Sequence, residues 1–593
     1  MSVQNKHFLN TAPTLVLDSL EGLARLNPAL ALDPTEKVVY VQSPDRSKVA
    51  LICGGGSGHE PAHAGFVGDG ILTAAVCGSV FASPNAVQVR RAIDLVDNDK
   101  GTLIIVKNYT GDVLNFGLAK EQYAALHADK ADKVKFLIVG DDVAVGRNQG
   151  KIVGRRGLAG TVLVYKIAGA LARRGSGLDE VYNIAEWVSS RVGTIGVGLE
   201  HTQVPGNAPA KSHLGADEIE IGMGIHNEPG HRRISPVPPL KELIPQLLEF
   251  ITSTSDPDRS FLPFRNDGSD EVVLMVNNLG GVSELELVAV VGEAVKALQG
   301  TGVTVHRVLS GSFMSSLNMP GFSLTLLLLP QKDESSAPST SLILSLLDEK
   351  AETPGWRWTS GSVPPSSIPQ PSGSGSSASV LGAGAHRLSA PDPAAFVAAV
   401  ERACKRVIEE EPEITRMDTI AGDGDCGLTL KAGAEAVLQQ IQKGAIKGDD
   451  VLGAVIQVSQ VAEKEMGGTS GALYSIFFSA LAQGLQSSAG SQSTTSDDIW
   501  KGAISSALAK LYTYTRARPP SRTLIDPLAA FVQSFPNGFP AAVKAAAGAA
   551  DATKDVEAKA GRSAYVEGDR LKKEKVPDPG AWGVKAILEG LLG

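Results

Sequence analysis

Between residues 331 and 388 the chain changes character. Runs such as "QKDESSAPSTS" and "SGSVPPSSIPQPSGSGSSASVLGAG" are dense in Ser, Pro and Gly and hold little that a core could bury. A stretch of this kind reads as a flexible linker, and 593 residues are too many for one hydrophobic core. The expected organisation is therefore residues 1–330 as a first domain, 331–388 as the linker and 389–593 as a second domain.

The two halves carry different periodicities. Before the linker, "KVALIC" (48–53), "GTLIIV" (101–106) and "VKFLIV" (134–139) are short apolar runs of the kind found in strands buried on both faces of a parallel sheet. Each stops at a polar loop, "GGGSGHEP", "KNYTGD" or "GDDVAVG", and loops at the carboxyl ends of parallel strands converge on one crevice. A second set of runs at 271–281, 302–311 and 321–330 predicts another subdomain, so the first half reads as two α/β lobes with mostly parallel sheet, split near 190–200. After the linker the period becomes helical. Asp392 at an N-cap and Pro393 at the first helical position precede Phe396, Val397, Val400, Cys404, Val407 and Ile408 on one face. The same texture recurs to the end, predicting an all-α domain of about eight helices.

Composition removes several classes of function. Lys+Arg 55 against Asp+Glu 64 gives a net charge of −9, and no dense basic run is interleaved with aromatics, so nucleic acid is not expected as a partner. Apolar runs such as "FSLTLLLL" (322–329) are too short to span a bilayer, and "MSVQNKHFLN" has no basic segment followed by an apolar one. The expectation is a cytoplasmic protein with no membrane partner. Four widely spaced cysteines without a CxxC fit reduced thiols.

Three segments carry candidate chemistry. In "MDTIAGDGDCGLTL" (417–430), Asp418, Asp423 and Asp425 are spaced by glycines that let the carboxylates turn toward one point; oxygen donors without His or Cys suit Mg²⁺ and its phosphate partners. An EF-hand is excluded because no Glu stands at the twelfth position. "MGGTSG" (466–471) opens an apolar helix, and a Gly-rich helix N-terminus favours phosphate. In "CGGGSGHEPAHAG" (53–65), the glycines permit close approach of a ligand to the backbone; Pro61 inside the HExxH register speaks against a zinc helix for His59 and His63. "GMGIHNEPGH" (222–231) leaves His226 open to three readings, as a metal ligand with His231, a turn residue or a substrate contact.

Taken together, "GGGSGHEP", "VKNYTGD", "GMGIHNEPG", "GDGDCG", "MGGTSG", "RTLIDPL" (522–528) and "DPGA" (578–581) resemble the ATP-dependent dihydroxyacetone (glycerone) kinases of the fused two-domain type. The resemblance implies a substrate domain followed by an eight-helix barrel that holds ATP and Mg²⁺. It implies that His226 forms a covalent hemiaminal with the ketone, that Gly56, Ser57, Gly58, His59, Lys107 and Asp112 contact the substrate, and that His59 and Asp112 act as acid and base. Asp418, Asp423 and Asp425 are implied as metal ligands. The implied nucleotide contacts are Asp423, Gly424, Asp425, Cys426, Thr429, Gly468, Thr469, Ser470, Arg522, Asp578, Pro579 and Gly580. It further implies a homodimer with domains paired between subunits, and activity on dihydroxyacetone with glyceraldehyde as a second substrate. Two other readings accompany it: an additional FAD-AMP lyase activity that forms cyclic FMN, and a non-enzymatic triose-sensing regulator.

Overall fold

A computed structural model describes residues 6–207, 214–368, 387–559 and 574–593. It separates into two compact units, Met1–Pro369 and Gln370–Gly593. No described helix is long and apolar enough to cross a membrane.

The first unit is built on two six-stranded sheets. In chain order the strands of the first are β1 (Leu30–Asp33), β2 (Val38–Val41), β3 (Ala50–Ser57), β4 (Ala74–Val80), β5 (Thr102–Lys107) and β6 (Val134–Val139), arranged β1-β2-β4-β3-β5-β6. The run from β4 through β3 and β5 to β6 is parallel, while β1 and β2 form an antiparallel edge. Helices cover both faces. In chain order those of this unit are α1 (Leu15–Leu26), α2 (Ala86–Val96), α3 (Thr110–Leu126), α4 (Gly160–Arg173), α5 (Leu178–Arg191), α6 (Leu240–Thr252), α7 (Glu284–Gly300) and α8 (Thr340–Asp348). Val89, Ile93 and Phe116 of α2 and α3 pack on one face, and Val162, Tyr165 and Val188 of α4 and α5 pack on the other. That double cover is why the central strands are apolar throughout. The start of α2 is fixed locally, since the Asn85 side chain accepts from Gln88 N and the Gln88 side chain accepts from Asn85 N.

The second sheet comprises β7 (Val192–Gly198), β8 (Ile219–Ile221), β9 (Arg232–Ile234), β10 (Glu271–Asn278), β11 (Thr304–Gly311) and β12 (Gly321–Leu328), in the order β11-β10-β12-β7-β8-β9. Only β10 and β11 run parallel; the other neighbours are antiparallel. The expectation of mostly parallel sheet thus holds for the first lobe and is corrected for the second. The cause is connection length. Helix α7 provides a crossover between β10 and β11, whereas residues 312–320 leave no room for one, so β12 turns back antiparallel.

The linker expected over 331–388 is also corrected at its start. Ser339 caps α8, and Ile343, Leu346 and Leu347 enter the first unit's core. Beyond the helix, Gly355 N donates to Gly65 O at 2.8 Å, so the chain stays bound to the first unit through residue 355. Residues 369–386, the centre of the expected linker, lie outside the described residues.

The second unit contains, among the described residues, eight α-helices: α9 (Pro393–Ala421), α10 (Cys426–Gln442), α11 (Val451–Val461), α12 (Gly468–Ala489), α13 (Asp497–Leu511), α14 (Ile525–Ser534), α15 (Phe539–Ala552) and α16 (Pro579–Leu592). Each packs on the next, and α16 returns to α9, closing a ring. The inward stripes, including Val407, Leu430, Val455, Leu485, Ala507, Ala546 and Val584, form one apolar core. Helix α9 begins as expected, with Asp392 accepting from Ala394 N and Ala395 N, but it runs through Pro412 and so carries Asp418 in its last turn.

Candidate functional site

The first candidate site lies where loops from both sheets of the first unit meet. After β3, His59 is fully buried; its Nδ1 faces Ser315 O at 2.9 Å, and Ser315 N donates to His59 O at 3.1 Å. A carbonyl can only accept, so His59 Nδ1 carries the hydrogen and Nε2 the lone pair. His226 is fixed by its neighbour two residues on. Its Nδ1 lies 2.9 Å from Glu228 Oε1, and its backbone N–H donates to Glu228 Oε2 at 2.9 Å. Burial pushes the Glu228 carboxyl up, yet the hydrogen bonds and charge of His226 outweigh it and hold the group down at about 2. A carboxylate accepts, so Nδ1 of His226 donates to Glu228, and Nε2 of His226 lies at hydrogen-bonding distance, 3.0 Å, from Nε2 of His59.

Two more predicted residues come from the β5 loop. Lys107 ends β5, and Asp112 stands in the first turn of α3; both are buried. Burial raises the Asp112 carboxyl, with Lys107 and Ser83 opposing the shift, and its Oδ1 has no hydrogen-bond partner. The Tyr109 hydroxyl is likewise buried and unpartnered. Unpaired buried polar atoms of this kind mark where a polyhydroxylated ligand would complete the bonding. Burial, together with the charge of Lys107 and the ring of His226, pushes His59 well below the ordinary imidazole range, so it is neutral near pH 7.

The glycines are also required by the packing of the protein itself. A Cβ on Gly58 would meet Phe81 Cε1 at 2.7 Å, one on Gly56 would meet Ala82 N at 2.7 Å, and one on Gly224 would meet Glu228 Oε2 at 2.1 Å. They admit protein groups close to the backbone around the histidines. Ser57 is also turned inward, its hydroxyl donating to Gly78 O at 2.8 Å. His63 bonds Cys53 Sγ at 3.3 Å, and His231 bonds Arg259 at 3.1 Å; among the described residues, neither belongs to a cluster of three or more His, Cys, Asp or Glu placed to hold a metal. Glu228, Phe81 and Tyr109 were missed in the sequence. Glu228 was legible as the acid within "GIHNEPG", whereas Phe81 gave no signal because nothing local marks its contact with His59.

The second candidate site is in the helical unit. Ligand atoms of Asp418, Asp423 and Asp425 lie within 4.8 Å of one another. Asp418 is buried on α9 with Oδ2 accepting from Cys426 N at 2.9 Å, and Gly424, at φ +85°, makes the turn that brings Asp425 back. An all-oxygen set of this spacing fits Mg²⁺. The three acids share a cavity of about 370 Å³ with Cys426, Thr429, Gly468, Thr469, Ser470, Asp578, Pro579 and Gly580, the size of site that suits a nucleotide. Burial pushes the Cys426 thiol up to about 12 and the Asp578 carboxyl up to about 6. Arg522 is not among the residues that line this cavity, and its Nη1 has no hydrogen-bond partner. Its guanidinium is buried, donating from Nε to Thr553 O at 3.1 Å and from Nη2 to Val576 O at 2.8 Å.

A nucleotide-sized cavity with an acidic triad in a helical unit and a polar crevice in an α/β unit fit a two-domain phosphotransferase. The Dak1 domain model matches residues 21–355 and the DAK2 domain model residues 420–593. The chain belongs to the dihydroxyacetone kinase family. It is 42% identical to a dihydroxyacetone kinase of Komagataella pastoris, over 97% of this chain and 96% of that protein. It is 38% identical to the human triokinase/FMN cyclase, over 99% of each chain. Among solved structures it is similar to the dihydroxyacetone kinase from C. freundii in complex with AMP-PNP and Mg²⁺, with a TM-score of 0.66 and 32% identity over 99% of each chain.

Proposed function

We propose that this chain phosphorylates dihydroxyacetone to dihydroxyacetone phosphate at the expense of ATP, with glyceraldehyde as a second acceptor, and that the ketose is held covalently on His226. The geometry that supports the tether is the orientation of His226: Nδ1 donates to Glu228, and Nε2, which carries a lone pair when the ring is neutral, faces His59, the combination a nucleophile needs. In the adduct, His226 Nε2 first hands its proton to His59 Nε2, the freed lone pair forms a C–N bond, the carbonyl π pair moves to oxygen, and that oxygen takes the proton back from His59. The positive charge left on the His226 ring is balanced by Glu228. Lys107 and Asp112 bind the hydroxymethyl arm, and Asp112, whose carboxyl burial makes more basic, accepts the hydrogen of the hydroxyl that attacks phosphorus. Glycerol has no electrophilic carbon and is not held.

In the helical unit, Asp418, Asp423 and Asp425 would hold Mg²⁺, and Gly468, Thr469 and Ser470 at the start of α12 would bind the triphosphate. Bound Mg²⁺ neutralises phosphate charge during transfer. A homodimer and a cytoplasmic location belong to the same reading. A second reading, lyase action on FAD giving cyclic FMN, is favoured by the name of the human relative and would use the same three aspartates. Coupled ADP release with dihydroxyacetone, glyceraldehyde and glycerol in parallel tests the kinase; turnover with none of the three would end it. Incubation with FAD and Mn²⁺ tests the lyase. Loss of ketose retention in His226→Ala is expected, and unchanged dihydroxyacetone kinetics in that variant would remove the tether.

A further inference from the structure

Phe81 stands outside every motif that the substrate reading uses, yet it touches both histidines. It follows β4 with φ +56°, a left-handed conformation that bulky residues avoid. The turn is held by Phe81 N donating to Ser57 O at 2.9 Å and Ala82 N donating to Ser79 O at 3.0 Å. The ring stacks on His59 with centroids 5.1 Å apart and planes 14° from parallel, and it meets His226 edge-on at 5.1 Å and 88°. Tyr109 meets the same His226 ring at 4.7 Å and 89°. Phe81 is only partly buried, so apolar burial does not account for the strained backbone, and Gly56 and Gly58 are glycine where a Cβ would collide with Phe81 or its neighbour. Strain kept in place by surrounding structure gathers where geometry serves function.

We propose that Phe81 is a positioning residue for the ketose reaction: its ring fixes the plane of His59, holds the two Nε2 atoms at their 3.0 Å approach, and keeps water from His59. The inference rests on the role given above to His226 and His59. It also sets a pH dependence. His59 is faced by Lys107 from β5, by His226, by His63 of its own loop and by the Ser315 carbonyl; burial is the largest influence and, with the three cationic or ionisable neighbours, disfavours protonation, while Ser315 favours it. Removing the ring admits water, weakens the burial effect, and lets His59 take up its proton at higher pH.

The test compares the full chain with Phe81→Gly and Phe81→Tyr. Glycine accepts the left-handed backbone without strain, so the fold is kept, and the unfolding temperature verifies it. For Phe81→Gly the expected result is a kcat/KM for dihydroxyacetone lower by about tenfold or more, an unchanged KM for ATP, and an acid limb of the kcat/KM profile moved upward. Phe81→Tyr keeps the ring and is expected to restore both rate and profile. An unchanged rate and pH profile in Phe81→Gly would overturn the proposal, as would a loss that tracks a lowered unfolding temperature. If the unaltered chain releases no ADP with dihydroxyacetone, the kinase reading itself falls and takes this one with it; if it does and Phe81→Gly matches it, only the role of Phe81 falls.

Discussion

The Nε2 atoms of His59 and His226 face each other at 3.0 Å, each ring having committed its other nitrogen to an acceptor, Ser315 O in one case and Glu228 in the other. At that distance the two form a hydrogen bond when one Nε2 is protonated, and passing that proton to His59 frees the His226 lone pair for an electrophilic guest. The acceptors on the far side of each ring make this arrangement, and they supply the first prediction.

Glu228→Gln removes the negative charge behind His226 while keeping its shape. The kcat/KM for dihydroxyacetone should fall about tenfold or more, with KM for ATP unchanged. The same variant alters acid stability. Because the folded Glu228 carboxyl is held down at about 2 against an ordinary value of 4.5, its contribution is present above pH 4.5 and lost as pH falls toward 2. Acid unfolding of the variant should lack that component; identical acid titrations would contradict the ion pair.

Asp425→Asn removes one oxygen charge from the acidic cluster at an exposed position, where the helical unit tolerates the change. The Mg²⁺ concentration for half-maximal ADP release should rise about tenfold, with the unfolding temperature without Mg²⁺ unchanged. A Mg²⁺ requirement equal to that of the unaltered chain would place the ion elsewhere.

Arg522→Met separates a structural role from a nucleotide role. The lost guanidinium leaves Val576 O without its side-chain donor and Thr553 O with Val556 N alone, at a cost of about 1–3 kcal/mol. Thermal unfolding of the helical unit should occur earlier while KM for ATP, measured below that transition, stays within about threefold. A raised KM with undiminished stability would return Arg522 to the nucleotide.

Lys166 gives the first unit an alkaline signature. It is fully buried on α4, donates to Leu346 O at 2.7 Å, and burial brings its ammonium down to about 8. A lysine lowered in the folded state binds its proton less tightly there than in the unfolded chain, so stability rises as pH climbs from about 8 to 10.5, by roughly 3 kcal/mol. Lys166→Met should flatten that rise in denaturant titrations across the same window. A rise of equal size in the variant would assign it to other groups.

Much of the fold is legible in the sequence. The strands at 48–53, 101–106 and 134–139 reappear as parallel neighbours because apolar runs of that length, covered by helices on both faces, have few other solutions. The acidic triad and the "MGGTSG" helix start were equally legible, since glycine spacing and carboxylate chemistry are local properties, and the structure brings them to one cavity. Helix α8 was hidden because its three buried apolar residues sit inside Ser- and Pro-rich sequence, and only the first unit's core reveals what they pack on.

Local chemistry decides secondary structure, capping and the residue types of each loop, and those are written in the chain order. Which nitrogen of His226 is free depends on Glu228 folding back across Gly224; the partner of that nitrogen, His59, comes from 167 residues earlier and is oriented by Ser315 in the other sheet's loop. The same holds for Arg522, whose motif resembled a nucleotide contact and whose side chain turns to Thr553 and Val576. A motif limits what a side chain can do; the direction it faces is set by distant segments, because burying a polar group requires a partner that only the assembled core provides.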